Sequence, residues 1–103
     1  MELETARETR VDIKIRFPSM FAVILHNDDI TTMDVVVEIL IKIFHMDSVS
    51  AAALMMQVHE EGEGIAGVYT FDIASTKKMQ SEKYAASKNF PLKLSLREIP
   101  DET

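Results

Sequence analysis

The sequence predicts an α+β domain: a small three-stranded antiparallel sheet packed against three helices, in the order β-α-α-β-α-β. Three observations predict it. A uniformly apolar run, Met20 to Leu25, has the length of a strand and shows no polar face, as a strand buried in a sheet does. Two stretches, Asp34 to His45 and Ser48 to Glu61, are long for strands and begin beside residues that cap helices. Near the C-terminus, Leu92, Leu94 and Leu96 alternate with Lys93, Ser95 and Arg97, the period of a half-exposed strand.

Taken in order, residues 1–16 are mostly charged and read as a flexible N-terminal tail. Val11, Ile13, Ile15 and Phe17 alternate there, so a short edge strand is the minority reading. The domain is then residues 17–103, entered at Pro18 and closed by a short C-terminal tail. Thr31 can cap the first helix, with Asp34 in the capping-box position near the positive end of the dipole. The β-branched residues Val35, Val36, Val37, Ile39, Ile41 and Ile43 favour a strand. Length, cap and the four-residue spacing of Glu38 and Lys42 decide for a helix, buried on most sides. Asp47 or Ser48 caps the second helix, in which Ala52, Met55, Val58 and His59 share a face. Gly62 stops it. Ile65 to Thr70 is a short strand bounded by glycines. Thr70 opens a third helix to about Lys88, with a weak stripe of Ile73, Ala74, Lys77, Tyr84 and Ala85, and Asn89 and Pro91 end it.

Composition narrows the function. A chain of 103 residues is one domain with a modest core. Its richest apolar stretch is interrupted by Glu38 and Lys42, so no membrane span is expected. The first 16 residues lack the apolar centre of a signal peptide. The absence of cysteine excludes disulfides, thiol chemistry and Cys-based zinc sites, and fits a cytosolic or organelle interior. Charge is uneven. Residues 28–63 hold eight acids and one base, whereas residues 64–100 hold six bases and three acids. The acidic half repels nucleic-acid phosphates and suits a cationic guest.

The chemistry centres on His26-Asn27-Asp28-Asp29-Ile30-Thr31-Thr32-Met33, a polar turn between a buried strand and a buried helix. Taken singly, each residue has a plainer reading. Asn27, Asp28 and Asp29 are turn residues that bond their own backbone. His59 is a surface residue near a helix end, and Met33, Met55 and Met56 are core. Antiparallel packing of the first two helices changes this, because it brings Asn27 and Asp28 to His59 over an apolar floor of Met33, Met55 and Val58. A carboxylate, an amide oxygen and an imidazole there could hold an ammonium group, and flexible methionines accommodate varied apolar side chains. A hydrolase using His26, Asp28, Asp29 and His59 lacks paired metal-ligand spacing and a nucleophile beside a base. A calcium loop would need acids at alternate positions ending in Glu. A plain interaction domain using the basic third helix is the remaining alternative.

The combination of HNDD-x-T-x-M, a long apolar helix, MMQVHEEG, GVYT and a closing Pro-Leu resembles the Clp protease adaptor family, the ClpS proteins, over about Phe17 to Arg97. The resemblance implies a small sheet against three helices and a non-enzymatic N-recognin, without cofactor or metal. Such a protein binds N-terminal Phe, Tyr, Trp or Leu of substrates (N-degrons) and hands them to the N-terminal domain of an AAA+ Clp unfoldase. It would act as a monomer, away from membranes and nucleic acid. Carried over, Asn27, Asp28 and His59 would bind the α-amino group, and Ile30, Thr31, Met33, Met55, Val58 and Leu92 would line the side-chain pocket. Met33 would guard its mouth. Asp72 and Lys77 would face the unfoldase. The sequence departs from the family's pattern in Thr32 for a usual Pro, Ile30 for a commonly aromatic residue and Asp72 for Glu.

Overall fold

The computed structural model describes residues 18–100. The tail, its minority edge strand and the last three residues lie outside the described residues. Six elements follow in the expected order: β1 (Met20–His26), α1 (Met33–Lys42), α2 (Ser48–Glu61), β2 (Glu63–Thr70), α3 (Phe71–Ser87) and β3 (Leu94–Ile99). The sheet order is β2-β1-β3, with β1 antiparallel to both neighbours. Its central place explains the uniformly apolar run. Val23 and Leu25 join the helices in the core, while Ala22 and Ile24 point to the opposite face, and all four are fully buried.

Local chemistry sets the element ends. The cap of α1 is Thr32, whose hydroxyl accepts from the Val35 N–H at 3.4 Å. The expected cap, Thr31, has its hydroxyl engaged by Asp28 instead, so the helix begins one residue later and Met33 is its first residue. The helix also stops at Lys42, short of His45, which adopts φ 61°. It is not buried on most sides. Val35, Val36, Ile39 and Leu40 form a buried stripe, and Met33, Asp34, Ile41 and Lys42 are exposed. Asp47 caps α2 by accepting from the Ser50 N–H at 2.8 Å. Gly62 ends it at φ 95°, a conformation costly to any residue with a Cβ.

Two helix faces differ from expectation. On α2 the buried positions are Ala51 and Val58 with Leu54 and Met55 partly buried, whereas Ala52 and His59 are exposed. The stripe is rotated by one residue. On α3 the buried residues are Ala74, Ser81 and Ala85, and Ile73 is exposed. Ser81 is tolerated in the core because its hydroxyl donates to the Lys77 carbonyl at 2.7 Å. The second strand starts two residues before Ile65, and the third starts at Leu94, leaving Leu92 buried just ahead of it.

Candidate functional site

The turn between β1 and α1 is built on one carboxylate. Oδ1 of Asp28 accepts from the Ile30 and Thr31 N–H groups at 2.8 and 2.6 Å, and Oδ2 accepts from the Thr31 hydroxyl at 2.7 Å. Burial pushes this carboxyl's pKa up, but the bonds from Thr31 and Ile30 outweigh it and hold the group below the usual carboxylate value. A carboxylate has about four lone-pair sites. Both on Oδ1 are used, and among the described residues Oδ2 accepts only from Thr31, so one acceptor site remains.

Backbone bonds then bring this turn to the end of α2. The Asn27 N–H donates to the Gly62 carbonyl at 2.9 Å, and the His26 N–H donates to the Lys93 carbonyl at 3.2 Å. Gly62 lies just past His59, and the result is a cleft of about 410 Å³. Asn27, Asp28 and His59 line its polar side. Val36 and Val58, 8% and 3% exposed, give it a buried apolar floor, with Met33 and Met55 on its walls. Ile30 and Thr31 complete the rim, Ile30 being 64% exposed.

Eight of the nine expected site residues therefore meet in one cleft. The exception is Leu92, which is 3% exposed and belongs to the core with Val36 and Val58 but does not line the cleft. Asp29, Thr32 and Val36 line it without having been expected. Val36 lies one helical turn beyond Met33, a signal that the uniform run Val35 to Val37 obscures in the sequence. The set proposed for a hydrolase does not assemble. Nε2 of His26 lies 2.7 Å from the Ser95 hydroxyl, across the sheet, and His26 does not line the cleft. Among the described residues no three His, Cys, Asp or Glu side chains are grouped to hold a metal ion.

A larger and more open depression, about 670 Å³, lies between the end of α1 and the start of α3. Asp72 and Lys77 line it together with Lys42, His45 and Ile73. Lys77 is partly committed: its Nζ donates to the Ile43 carbonyl at 2.6 Å and lies 5.7 and 5.4 Å from the Phe44 and Tyr69 ring centroids. It thus caps the negative end of α1. Volume favours this depression as a ligand site, but chemistry favours the smaller cleft, where a carboxylate with a spare acceptor site adjoins an enclosed apolar floor.

A family model described as "ATP-dependent Clp protease adaptor protein ClpS" matches residues 16–95. The chain belongs to the Clp protease adaptor family. The adapter protein ClpS of Acetivibrio thermocellus is 54% identical over 86 residues, 84% of this chain and 85% of the relative. That of Clostridium acetobutylicum is 45% identical over 101 residues, covering 96% of this chain and all of the relative. A solved structure of Agrobacterium tumefaciens ClpS2 bound to L-phenylalaninamide superposes with a TM-score of 0.78 at 29% identity, covering 81% of this chain and all of that one. Members of this family are adaptors rather than catalysts. No helix among the described residues is long and apolar enough to cross a membrane.

Proposed function

We infer that the cleft receives the first residue of a substrate polypeptide. Asn27, Asp28 and His59 bind its α-amino group, and Ile30, Thr31, Met33, Met55 and Val58, over Val36, take a bulky apolar side chain such as Phe, Tyr, Trp or Leu. Leu92 acts from the core beneath the floor, without touching the guest. The observation that carries this reading is the spare acceptor site on Asp28 beside an apolar cleft. It is supported by the phenylalaninamide in the related ClpS2, an amino-acid amide with a free amine and a blocked carboxyl, as at the start of a chain. The adaptor then delivers the polypeptide to the N-terminal domain of a Clp unfoldase, which docks on the depression holding Asp72 and Lys77.

The test compares a peptide beginning with Phe against its N-acetylated twin. Acetylation removes the charge and adds bulk where the acceptors sit. Each charge-assisted hydrogen bond contributes about 1.5–3 kcal/mol. Affinity should therefore fall at least about a hundredfold, roughly 2.7 kcal/mol. Equal binding of the two peptides ends the reading.

A further inference from the structure

We propose that Met33 is an oxidation site whose conversion to the sulfoxide shuts the cleft, making recognition sensitive to peroxide. The inference rests on the peptide-binding role of the cleft. The chain has no cysteine, so thioethers are the sulfur groups an oxidant meets. Met33 is 43% exposed and stands on the wall of the cleft, above the buried Val36 and Val58. Its place at the first position of α1 leaves it open to solvent on one side and turned to the cleft on the other. Met55, the other methionine of the wall, is half-buried and is the slower target.

The chemistry is simple and balanced. The thioether sulfur takes one oxygen from hydrogen peroxide, the peroxide is reduced to water, and the sulfur becomes a sulfoxide. A flexible apolar side chain turns polar and chiral. In the free protein the new oxygen is hydrated. With an apolar guest side chain in place it loses that water, and the apolar part of the cleft, Val36, Val58 and Met55, offers it no donor, while on the proposed reading Asn27 and His59 are engaged by the α-amino group. Burying an acceptor without a partner opposes binding.

The molecule carries its own controls. Met56 is 40% exposed and Met79 51% exposed, so peroxide reaches them as readily as Met33, yet neither lines the cleft. Surface oxidation in general is thereby separated from oxidation of the wall.

The experiment titrates the full chain with a labelled Phe-initiated peptide at increasing extents of peroxide treatment, with each methionine followed by peptide mass spectrometry. Circular dichroism confirms that the fold persists. Affinity should fall at least tenfold in step with Met33 sulfoxide, and recover on treatment with methionine sulfoxide reductases A and B. The variants Met56→Leu and Met79→Leu should show the same loss. Met33→Leu, compared with its own untreated sample, should lose much less, and Met33→Leu/Met55→Leu almost nothing. Undiminished affinity in protein fully oxidised at Met33, or a full loss in the double variant, overturns the inference alone. Failure of the untreated chain to bind the peptide overturns the underlying reading as well.

Discussion

Replacing Asp28 by Asn separates its two duties. The carboxylate holds the turn through three accepted bonds and, on the proposed reading, offers its remaining acceptor site to an ammonium group. Asn is nearly isosteric. Its Oδ1 still accepts from the Ile30 and Thr31 N–H groups, and its Nδ2 can donate to the Thr31 hydroxyl, which reverses its role. The turn survives with neutral bonds in place of charge-assisted ones, a loss expected to stay under about 1 kcal/mol. The guest instead meets an N–H donor where it needs an acceptor. Loss of one charge-assisted bond, about 1.5–3 kcal/mol, corresponds to roughly 10- to 150-fold in affinity. Asp28→Ala, by contrast, strips the turn of all three bonds and should lower stability by about 1–3 kcal/mol as well.

Fluorescence anisotropy with a labelled Phe-initiated peptide gives the affinity, and thermal melting gives the stability. For a domain of this size each kcal/mol moves the melting midpoint by about 4–8 °C. The Asn variant should therefore melt within a few degrees of wild type yet bind at least tenfold more weakly. Wild-type affinity in the Asn variant would refute the reasoning, leaving Asp28 a turn residue and nothing more. The alanine variant cannot make this distinction, because a disordered turn would also weaken binding.

Met33→Ala, which opens the mouth of the cleft, should admit peptides beginning with Ile or Val while retaining Phe; an unchanged preference profile in titrations would count against a gating role. Reversing Asp72 with Lys should abolish unfoldase binding and leave peptide affinity intact, measured by pull-down and anisotropy. Lys77→Glu should weaken docking too, but its lost bond to the Ile43 carbonyl should also lower stability by about 1–3 kcal/mol, so the Asp72 variant is the cleaner probe. The pKa values of Asp28 and Asp47 are both lowered from 3.8 in the fold. Their stabilising contribution is complete above that value and is lost as pH falls through the depressed folded values. Wild-type melting should therefore decline more steeply below about pH 4 than Asp28→Asn, and an identical acid decline would show that Asp28 is not coupled to folding.

The element order was legible because caps and periods are local. Asp47 before Ser50, Gly62 after Glu61 and the apolar run of β1 each specify their element within a few residues. The meeting of Asn27, Asp28 and His59 was legible for a related reason, since two adjacent antiparallel helices bring the start of one to the end of the other. The misses share a different cause. Thr31 and Thr32 are equally good caps, and the choice between them turns on which hydroxyl Asp28 captures. Ala51, Ala52 and Ala53 offer no contrast from which to read the buried face of α2, and Val35, Val36 and Val37 hide the residue that floors the cleft. Leu92 continues the alternation of β3 but precedes its ladder, so its side chain follows the core and not the cleft. The dual place of Lys77, facing a depression while capping α1, depends on where α3 crosses Ile43, which no local pattern encodes.

The cleft is stiff on one side and yielding on the other, and this asymmetry has a functional consequence. The polar side is wired before any guest arrives: Asp28 bonds to Ile30 and Thr31, and Asn27 to Gly62. An acceptor held in place costs little further ordering when it is used, so on the proposed reading discrimination for a charged amine should be strong. The apolar side rests on a packed floor, Val36 and Val58, but its walls are methionines, which repack at little cost. A methionine wall distinguishes apolar from polar side chains more readily than one bulky apolar side chain from another, because it repacks around either. On the proposed reading, such a site should read the start of a chain strictly and the identity of its first side chain by class. An adaptor needs that division, because a degradation signal must be absent from internal sequence yet shared by many substrates.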